Sequence, residues 1–244
     1  MTEDNKKLYQ IAELIVEVPD EDGLAERCQE YLYHGTAPAD IKIESKRYDR
    51  SVYPKNIDAE QLAYMESARQ FCTYVLDFDG LYLHASAVEM DGKAYLFSGP
   101  CGTGKSTHTR LWQQTFGTAA QVFNDDKPIL RYLDGEWYAY GTPWCGKDGI
   151  NQNKKVPLAA ICFLKQADHN EIRQLAPNQA IQKILSQTFH KFITVKKLDN
   201  MLLLLDRLVR KIPVYELENK PEQAAAILSF QTMSRGAEEK SDET

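Results

Sequence analysis

Residues 94–107, AYLFSGPCGTGKST, form an apolar segment that runs into a glycine-rich segment ending in a lysine and two hydroxyl residues. The spacing from Gly99 through Gly104 to Lys105 and Ser106 fits G-x-x-x-x-G-K-[ST], the pattern of a phosphate-binding loop. A predicted strand precedes the loop and a predicted helix follows it, which is the context that the pattern requires. A simple glycine-rich turn between strand and helix is the alternative, and the complete motif favours binding of a nucleotide phosphate.

Each residue type in this loop has a physical role in binding phosphate. Glycines adopt backbone angles that let successive N–H groups point at a polyphosphate. Lys105 supplies a positive charge for the β- and γ-phosphates, and the Ser106 hydroxyl suits a Mg²⁺ ligand. Cys101 is interpreted as a small tolerated side chain rather than as an oxidation-sensitive switch. The predicted nucleotide-binding residues of the loop are Gly99, Cys101, Gly102, Thr103, Gly104, Lys105, Ser106 and Thr107.

The composition is that of an ordinary globular protein. With 244 residues, of which 43% are hydrophobic and 26% charged, the chain can bury a full core as one large domain or two small ones. It has no apolar run of about eighteen residues, and its N-terminus lacks the apolar region of a signal peptide, so we expect a cytoplasmic protein without a membrane partner. The net charge of −6 argues against a nucleic-acid partner.

The five cysteines do not indicate a cross-linked or metal-bound fold. Their number is odd and no two show C-x-x-C spacing, so neither a disulfide framework nor a zinc site is predicted. We expect reduced thiols.

The first third of the chain predicts a small α/β lobe, residues 8–77, without catalytic residues. Hydrophobic periodicity, turn residues and a cap candidate define its elements. In chain order they are a frayed end (1–10), a strand (11–18), a turn (19–23), an amphipathic helix (24–32), a short strand at Ile41 and Ile43, and a helix (58–76). The first helix has Leu24, Cys28 and Leu32 on one face. The second helix is capped by Asp58 and places Met65 and Cys72 on its apolar side.

Residues 78–232 predict the domain that carries the phosphate loop. The Asp91-Gly92 pair between two strand-like segments predicts a hairpin. His84 would then lie on the strand antiparallel to the one that enters the loop, and the pairing would bring its imidazole close to the phosphates. The alternative is a histidine with a purely structural role.

An acidic pair follows a short apolar segment twenty residues after Lys105. In nucleotide-binding α/β proteins a carboxylate at the end of a strand can hold Mg²⁺, directly or through water. Asp125 and Asp126 together allow two roles, one on the metal and one that accepts a proton from an attacking hydroxyl. Asn-Asp-Asp is also turn chemistry, but its position behind an apolar segment favours a functional reading.

The remaining segments give weaker signals. Residues 141–155 are a polar, glycine-rich loop in which Lys147 either meets phosphates or is solvated. The leucine-rich helix near 198–209 is interpreted as core or as a subunit contact, so a homo-oligomer is compatible with the sequence. The other elements predicted are a hairpin around residues 134–135, a strand buried on both faces (158–164), a helix (178–185), a strand (214–217), a helix (221–230) and a disordered tail (233–244).

Several of these motifs together resemble the kinase domain of the HPr kinase/phosphorylase family. They are LHASAV, the hairpin, GPCGTGKST, NDDKP and GTPWCGK, all between residues 81 and 164. A histidine fifteen residues before the first loop glycine, combined with a downstream Asp-Asp, is more specific than the loop alone. The closest likeness is to short, stand-alone members, some of which accompany peptide-modification gene clusters.

This resemblance implies a fold, a set of roles and two cofactors. The fold is α/β, of the P-loop type shared by HPr kinase and phosphoenolpyruvate carboxykinase, with a mixed central sheet, flanking helices and the small N-terminal lobe. His84 matches the family's active-site histidine, and Lys105 and Ser106 match the phosphate and metal residues. Asp125 and Asp126 match the acidic pair; we assign proton acceptance to Asp125 and metal binding to Asp126, a division that is open to reversal. ATP and Mg²⁺ are the implied cofactors.

One family signature is absent. HPr kinase/phosphorylases carry a Gly-Arg-containing segment, and this sequence has no Gly-Arg pair. The phosphorylase reaction and HPr itself as substrate are therefore not expected. Oxaloacetate chemistry is not expected either, because the further metal and substrate residues of the carboxykinases have no counterpart here.

The sequence thus predicts an ATP- and Mg-dependent kinase that phosphorylates a hydroxyl, expected to be a serine, on a peptide or small protein such as a ribosomally made precursor peptide. The first alternative is a nucleotide-gated module that binds a peptide without catalysis. The second is a kinase for a small hydroxylated metabolite such as free serine.

Overall fold

The strand that enters the phosphate loop lies inside a mixed sheet of nine strands. The computed structural model describes residues 6–19, 24–44, 56–190 and 193–242. Its strands are β1 Lys6–Ile11, β2 Leu14–Pro19, β3 Ile41–Lys42, β4 Gly80–Tyr82, β5 Ala85–Met90, β6 Lys93–Ser98, β7 Gln121–Asp126, β8 Ile129–Leu133, β9 Glu136–Tyr140, β10 Lys155–Gln166, β11 Glu171–Gln174 and β12 Val214–Asn219. Its α-helices are α1 Leu24–Arg27, α2 Ala59–Tyr74, α3 Lys105–Phe116, α4 Pro177–Ser186, α5 Val195–Lys211 and α6 Gln223–Asp242.

The long strand β10 holds the large sheet together. It pairs parallel with β6 and β12 and antiparallel with β9, and the strand order is β4-β8-β9-β10-β6-β5-β7, with β12 on β10 and β11 on β12. The mixed α/β class predicted from the sequence is therefore confirmed. The apolar run at residues 158–164 is confirmed as a strand buried on both faces, because side chains alternate between the two faces of β10 and both faces are covered.

Helices cover the two faces of the sheet around β6 and β10. Ile161 of β10 packs in one core with Leu205 of α5, whereas Cys162 packs in another core with Trp112 of α3 and Met233 of α6. The phosphate-loop helix α3 and the last helix α6 therefore share a face, and α4 and α5 lie on the opposite one. Among the described residues no helix is both long and apolar enough to cross a membrane.

A third core joins the N-terminal residues to the sheet. The three-stranded sheet β1-β2-β3 and helix α2 pack against β8, β9 and the segment after β9. Phe71 of α2 stacks on Trp144 with ring centroids 4.8 Å apart, and the Asp58 side chain caps α2 by accepting from the Gln61 N–H, as predicted. The division into residues 8–77 and 78–232 stays a prediction.

The N-terminal elements correct two predictions. Residues 11–18 are not one strand, because β1 and β2 form a hairpin whose turn residues, Ala12 and Glu13, have φ of 52° and 62°. Neither residue signals a turn of this kind, which usually selects Gly or Asn. Residues 6–10, expected to be frayed, belong to β1.

Other predictions in this region were partly wrong. The helix predicted for residues 24–32 stops at Arg27 and continues as a 3₁₀ turn at Gln29–Tyr31. Leu32 and Met65, both predicted on apolar faces, are 42% exposed. The turn predicted at residues 19–23 lies, beyond Pro19, outside the described residues.

The hairpins at Asp91-Gly92 and Asp134-Gly135 are confirmed, and so are the predicted helices within α4 and α5. The C-terminal end differs from the prediction. Residues 233–242, expected to be disordered, belong to α6; the buried Met233 gives this polar segment an apolar contact that its composition does not reveal. Strand β11 was missed, because its residues are mostly exposed and polar.

Candidate functional site

The glycine-rich loop has the strand-loop-helix form that its sequence predicts. It follows β6 and ends where α3 begins, and Gly104 is the N-cap of that helix. Gly102 and Gly104 have φ of 83° and 95°, and a Cβ at either position would meet no atom within 4 Å. Backbone conformation rather than crowding therefore requires glycine at these two positions.

Lys105 is folded back onto the loop. Its Nζ donates hydrogen bonds to the carbonyl oxygens of Gly99 at 2.8 Å and Pro100 at 3.2 Å. Burial lowers the pKa of Lys105, and nearby groups including Asp125 and Asp126 oppose that shift. The ammonium group is thus the cation that the loop itself supplies to its own cleft.

Strand register brings the acidic pair and the histidine to the loop. Ala85 of β5 pairs with Ser98, the last residue of β6, on one side and with Asp126, the last residue of β7, on the other. The prediction that His84 lies on this strand is wrong: it directly precedes β5, because its N–H donates to the Gln187 carbonyl oxygen instead of to a neighbouring strand. Its carbonyl oxygen accepts a hydrogen bond from the Ser98 hydroxyl at 2.8 Å. Residues far apart in the chain therefore meet in one row at the end of the sheet where the loop begins.

Asp126 and His84 form the centre of a hydrogen-bonded chain. His84 Nε2 lies 3.1 Å from Asp126 Oδ1, and His84 Nδ1 lies 3.1 Å from Gln187 Oε1. The other carboxylate oxygen of Asp126 pairs with Lys127. Burial raises the pKa of Asp126, but the hydrogen bonds from His84 and Lys127 outweigh it and bring the pKa down to about 2. The carboxylate is ionised at neutral pH.

Asp125 has different partners from its neighbour. The Ser106 hydroxyl donates to Asp125 Oδ2 at 3.1 Å, and the Gly146 N–H donates to the Asp125 carbonyl oxygen at 2.7 Å. A Cβ at position 146 would lie 3.2 Å from Asp125 Oδ2, so the absence of a side chain there leaves room beside the carboxylate.

Ser106 and Asp125 suit a Mg²⁺ ion. A hydroxyl and a carboxylate are hard oxygen donors of the kind that Mg²⁺ prefers, and in phosphate-transferring sites the ion takes one or two carboxylates together with substrate phosphates. Within the described residues no group of three or more His, Cys, Asp or Glu side chains could hold a metal by itself. The Ser106 hydroxyl and the Asp125 carboxylate thus fit Mg²⁺ as oxygen ligands.

One open cleft, of about 550 Å³, contains most of the predicted site. The exposed Lys147 lies on its wall near Gly146, and Arg110 of α3 pairs with Asp148 at its rim. The lining also includes the following predicted residues: His84, Cys101, Gly102, Gly104, Lys105, Ser106, Thr107, Asp125 and Asp126.

A second cavity, of about 360 Å³, adjoins the same two central residues. His84 and Asp126 line both cavities. The second cavity is partly aromatic, since Tyr82 and Phe189 stack there with centroids 4.7 Å apart. Met65 of α2 also lines it. We call this cavity the aromatic cavity.

Sequence reasoning missed three residues of the site. Lys127 directly follows the acidic pair, and its charge could have been noticed there. Gln187 lies 103 residues from His84, and nothing in its local sequence signals the contact. Gly146 acts through its N–H and its lack of a side chain, a role that a glycine in a polar loop does not reveal.

Comparison with known proteins gives a family and distantly similar solved structures. Residues 54–221 match the family model described as SynChlorMet cassette protein ScmC. No curated protein matches the chain. Among solved structures, the HPr(Ser) kinase/phosphatase from Coxiella burnetii is 13% identical over 66% of this chain and 93% of that one, with a TM-score of 0.36. At that TM-score the likeness supports no statement about fold or activity.

Proposed function

Because the chain belongs to the SynChlorMet cassette protein ScmC family, we propose that it is a kinase serving that cassette, which transfers the γ-phosphate of ATP to a serine hydroxyl of a peptide. The observation that carries the proposal is the row formed by Ser98, Ala85 and Asp126, which puts a carboxylate held by His84 beside a phosphate loop. Membership of a cassette supports an acceptor made by the same cassette, and a ribosomally made precursor peptide fits this best.

The loop provides the phosphate side of the reaction. Its backbone N–H groups and the N-terminus of α3 favour bound anions. Lys105 now donates to two loop carbonyls, and the same ammonium group can turn to the β- and γ-phosphates. Phosphoryl transfer depends mainly on positioning and on neutralising charge, so this arrangement provides what the reaction needs.

The resemblance gives proton acceptance to Asp125 and metal binding to Asp126. The contacts support the opposite assignment. Asp125 touches Ser106, so these two residues would hold Mg²⁺. The bound ion would neutralise charge that develops on the phosphates. Asp126 touches His84, and it lines both the phosphate cleft and the aromatic cavity. These contacts support Asp126 as the group that accepts the proton of a hydroxyl entering from the aromatic cavity.

The pKa of about 2 is compatible with this role. In a loose transition state the new bond between the acceptor oxygen and phosphorus is only slightly formed. The orientation of the hydroxyl therefore matters more than the basicity of the carboxylate. The bond from the γ-phosphorus to the oxygen that bridges it to the β-phosphate breaks, and the bond from that phosphorus to the serine oxygen forms. The serine proton passes to Asp126, and ADP leaves with the bridging oxygen. His84, which Gln187 holds from its other side, keeps the carboxylate in place.

The test uses the cassette peptide, free serine and radiolabelled ATP. Lys105→Ala should lower transfer by roughly 100-fold or more, because a charge that stabilises the transition state is lost. Asp126→Asn should lower it by roughly 10²–10⁴-fold, as expected for a proton acceptor, while nucleotide binding persists. Lys42→Ala, at an exposed lysine on β3, is the matched control and should behave as wild type.

The outcomes separate the alternatives. Binding of ATP and peptide without transferred label would overturn the kinase in favour of a nucleotide-gated module. Label on free serine but not on the peptide would show a metabolite kinase. If Asp126→Asn transfers phosphate at the wild-type rate, the carboxylate role given to it is wrong.

A further inference from the structure

A third cavity, of about 330 Å³, lies beside the phosphate loop on the side away from the acidic pair. Gly104 and Thr107 line both this cavity and the phosphate cleft, so one ligand can occupy the two at once. Gln166 and Asn219, the last residues of the parallel strands β10 and β12, also line it. The crevice at the carboxyl ends of parallel strands is where ligands of α/β proteins bind.

The wall of this cavity combines apolar surface with unpaired hydrogen-bond acceptors. Leu111, Ala167 and Pro221 give it flat apolar contacts of the kind that a planar ring needs. Asn219 is 8% exposed, and its Nδ2 donates to the Lys220 carbonyl oxygen at 3.1 Å. Its Oδ1 is buried and accepts no hydrogen bond from the described residues.

His108 adds a second acceptor. Trp112 Nε1 donates to Ser229 Oγ at 2.9 Å, and Ser229 Oγ donates to the Ala226 carbonyl oxygen at 3.0 Å. The Ser229 hydroxyl proton is therefore engaged by Ala226. The contact of 3.1 Å between Ser229 Oγ and His108 Nε2 then requires the imidazole proton to lie on Nε2. His108 Nδ1 is then an acceptor, and it is buried without a partner in the described part of the chain.

Each amide nitrogen at the cavity has one of its two N–H groups engaged by the protein. Gln166 Nε2 donates to the Gly102 carbonyl oxygen at 3.0 Å, and Asn219 Nδ2 is held by Lys220. A base that presents an amino group would supply a donor to the unpartnered Asn219 Oδ1, whereas a base with a carbonyl at the same place would put an acceptor against that oxygen.

We propose that this cavity binds the nucleobase of the triphosphate and that Asn219 makes it select adenine over 6-oxopurines. The proposal rests on the proposed function, because it assumes that a nucleotide occupies the loop. Asn219 acts as a specificity residue through its Oδ1, which accepts from the 6-amino group, and it takes no part in phosphate binding.

The test is displacement of a ribose-labelled fluorescent ATP by ATP, by inosine triphosphate and by inorganic tripolyphosphate, each with Mg²⁺. ATP and inosine triphosphate differ only at the 6-position and its neighbouring ring nitrogen. The wild-type protein should prefer ATP by about tenfold. Asn219→Leu should bring the affinities for ATP and inosine triphosphate within about twofold of each other. Asn219→Asp keeps an acceptor, so it should retain the preference for ATP even if its charge weakens the binding of all three competitors.

Tripolyphosphate, which has no base, should compete equally well against the wild type and Asn219→Leu, which shows that the phosphate loop of the variant is intact. Equal binding of ATP and inosine triphosphate by the wild type, or an unchanged preference in Asn219→Leu, would overturn the role of Asn219 while leaving the kinase proposal standing. Failure of the wild type to bind any of the three would overturn both proposals.

Discussion

Asp126 is unusual in its backbone as well as in its side chain. Its φ is 98°, a region that residues other than glycine rarely adopt. The surrounding contacts hold it there, since it bridges to Cys145 across the strand end and its carboxylate pairs with both His84 and Lys127. Strained residues of this kind cluster where a side chain must be aimed. This supports Asp126, rather than Asp125, as the group that faces the acceptor.

The two aspartates should respond differently to magnesium. Asp125→Asn removes the carboxylate that touches Ser106, so the Mg²⁺ concentration for half-maximal transfer should rise at least about tenfold. Asp126→Asn should lower kcat at saturating Mg²⁺ without changing the Mg²⁺ concentration for half-maximal transfer. Initial rates measured across a magnesium titration decide between them. The opposite pattern would restore the division of roles that the family resemblance implies.

At the scale of elements, the packing of α3 against α6 contains a buried ionisable group. His108 contacts the ring of Phe97 with centroids 4.6 Å apart, and burial lowers the pKa of His108 to about 4. Its neutral form is favoured in the folded state, so its contribution to stability is complete above the unfolded pKa of about 6.5. That contribution is lost as pH falls through the folded value of about 4.

The expected loss is about 3 kcal/mol between pH 6.5 and pH 4. His108→Gln lacks the titrating group, so its free energy of unfolding should fall less than that of the wild type over this interval. Urea denaturation at pH 7, 5.5 and 4.5 measures the difference. Parallel stability curves for the two proteins would show that His108 is not buried as described.

Elements with strong local signals could be predicted from the sequence. The Asp91-Gly92 hairpin, the capped helix α2 and the buried strand β10 each carry a turn, a cap or a hydrophobic run that specifies one structure. The Ala12-Glu13 turn and the end of α6 carry no such signal, because tertiary contacts decide them. Tyr140, for example, donates from its hydroxyl to the Glu13 carboxylate at 2.6 Å, a contact 127 residues away in sequence.

At the scale of the whole molecule, the aromatic cavity lies where the N-terminal residues meet the large sheet. Helix α2 contributes Met65, and the segment after α4 contributes Phe189. If the acceptor peptide enters here, Met65→Lys should raise its KM about tenfold through lost apolar contact, with nucleotide affinity unchanged. Leu202→Lys on α5 is the matched control, because Leu202 is 45% exposed and Met65 42%. Equal KM values for both variants would place the acceptor elsewhere.

Which residues form the candidate site was more predictable from the sequence than which of them contact one another. The loop, His84 and the acidic pair each stand in a recognisable local pattern. Their partners do not, because Ser106 meets Asp125 and His84 meets Gln187 only through strand register and the position of the segment after α4. Which aspartate faces which cavity is a consequence of that register, and no spacing in the sequence specifies it.

The exposed cysteine of the phosphate loop makes the wild-type chain suitable for nitroxide spin labelling and electron paramagnetic resonance. Cys101 is exposed, whereas Cys28, Cys72, Cys145 and Cys162 are buried, and burial raises the pKa of the Cys28 thiol to about 12. A nitroxide reagent should therefore attach at one position, within the phosphate loop, without any cysteine being removed. The mobility of that single spin label would then report directly on whether the loop is filled.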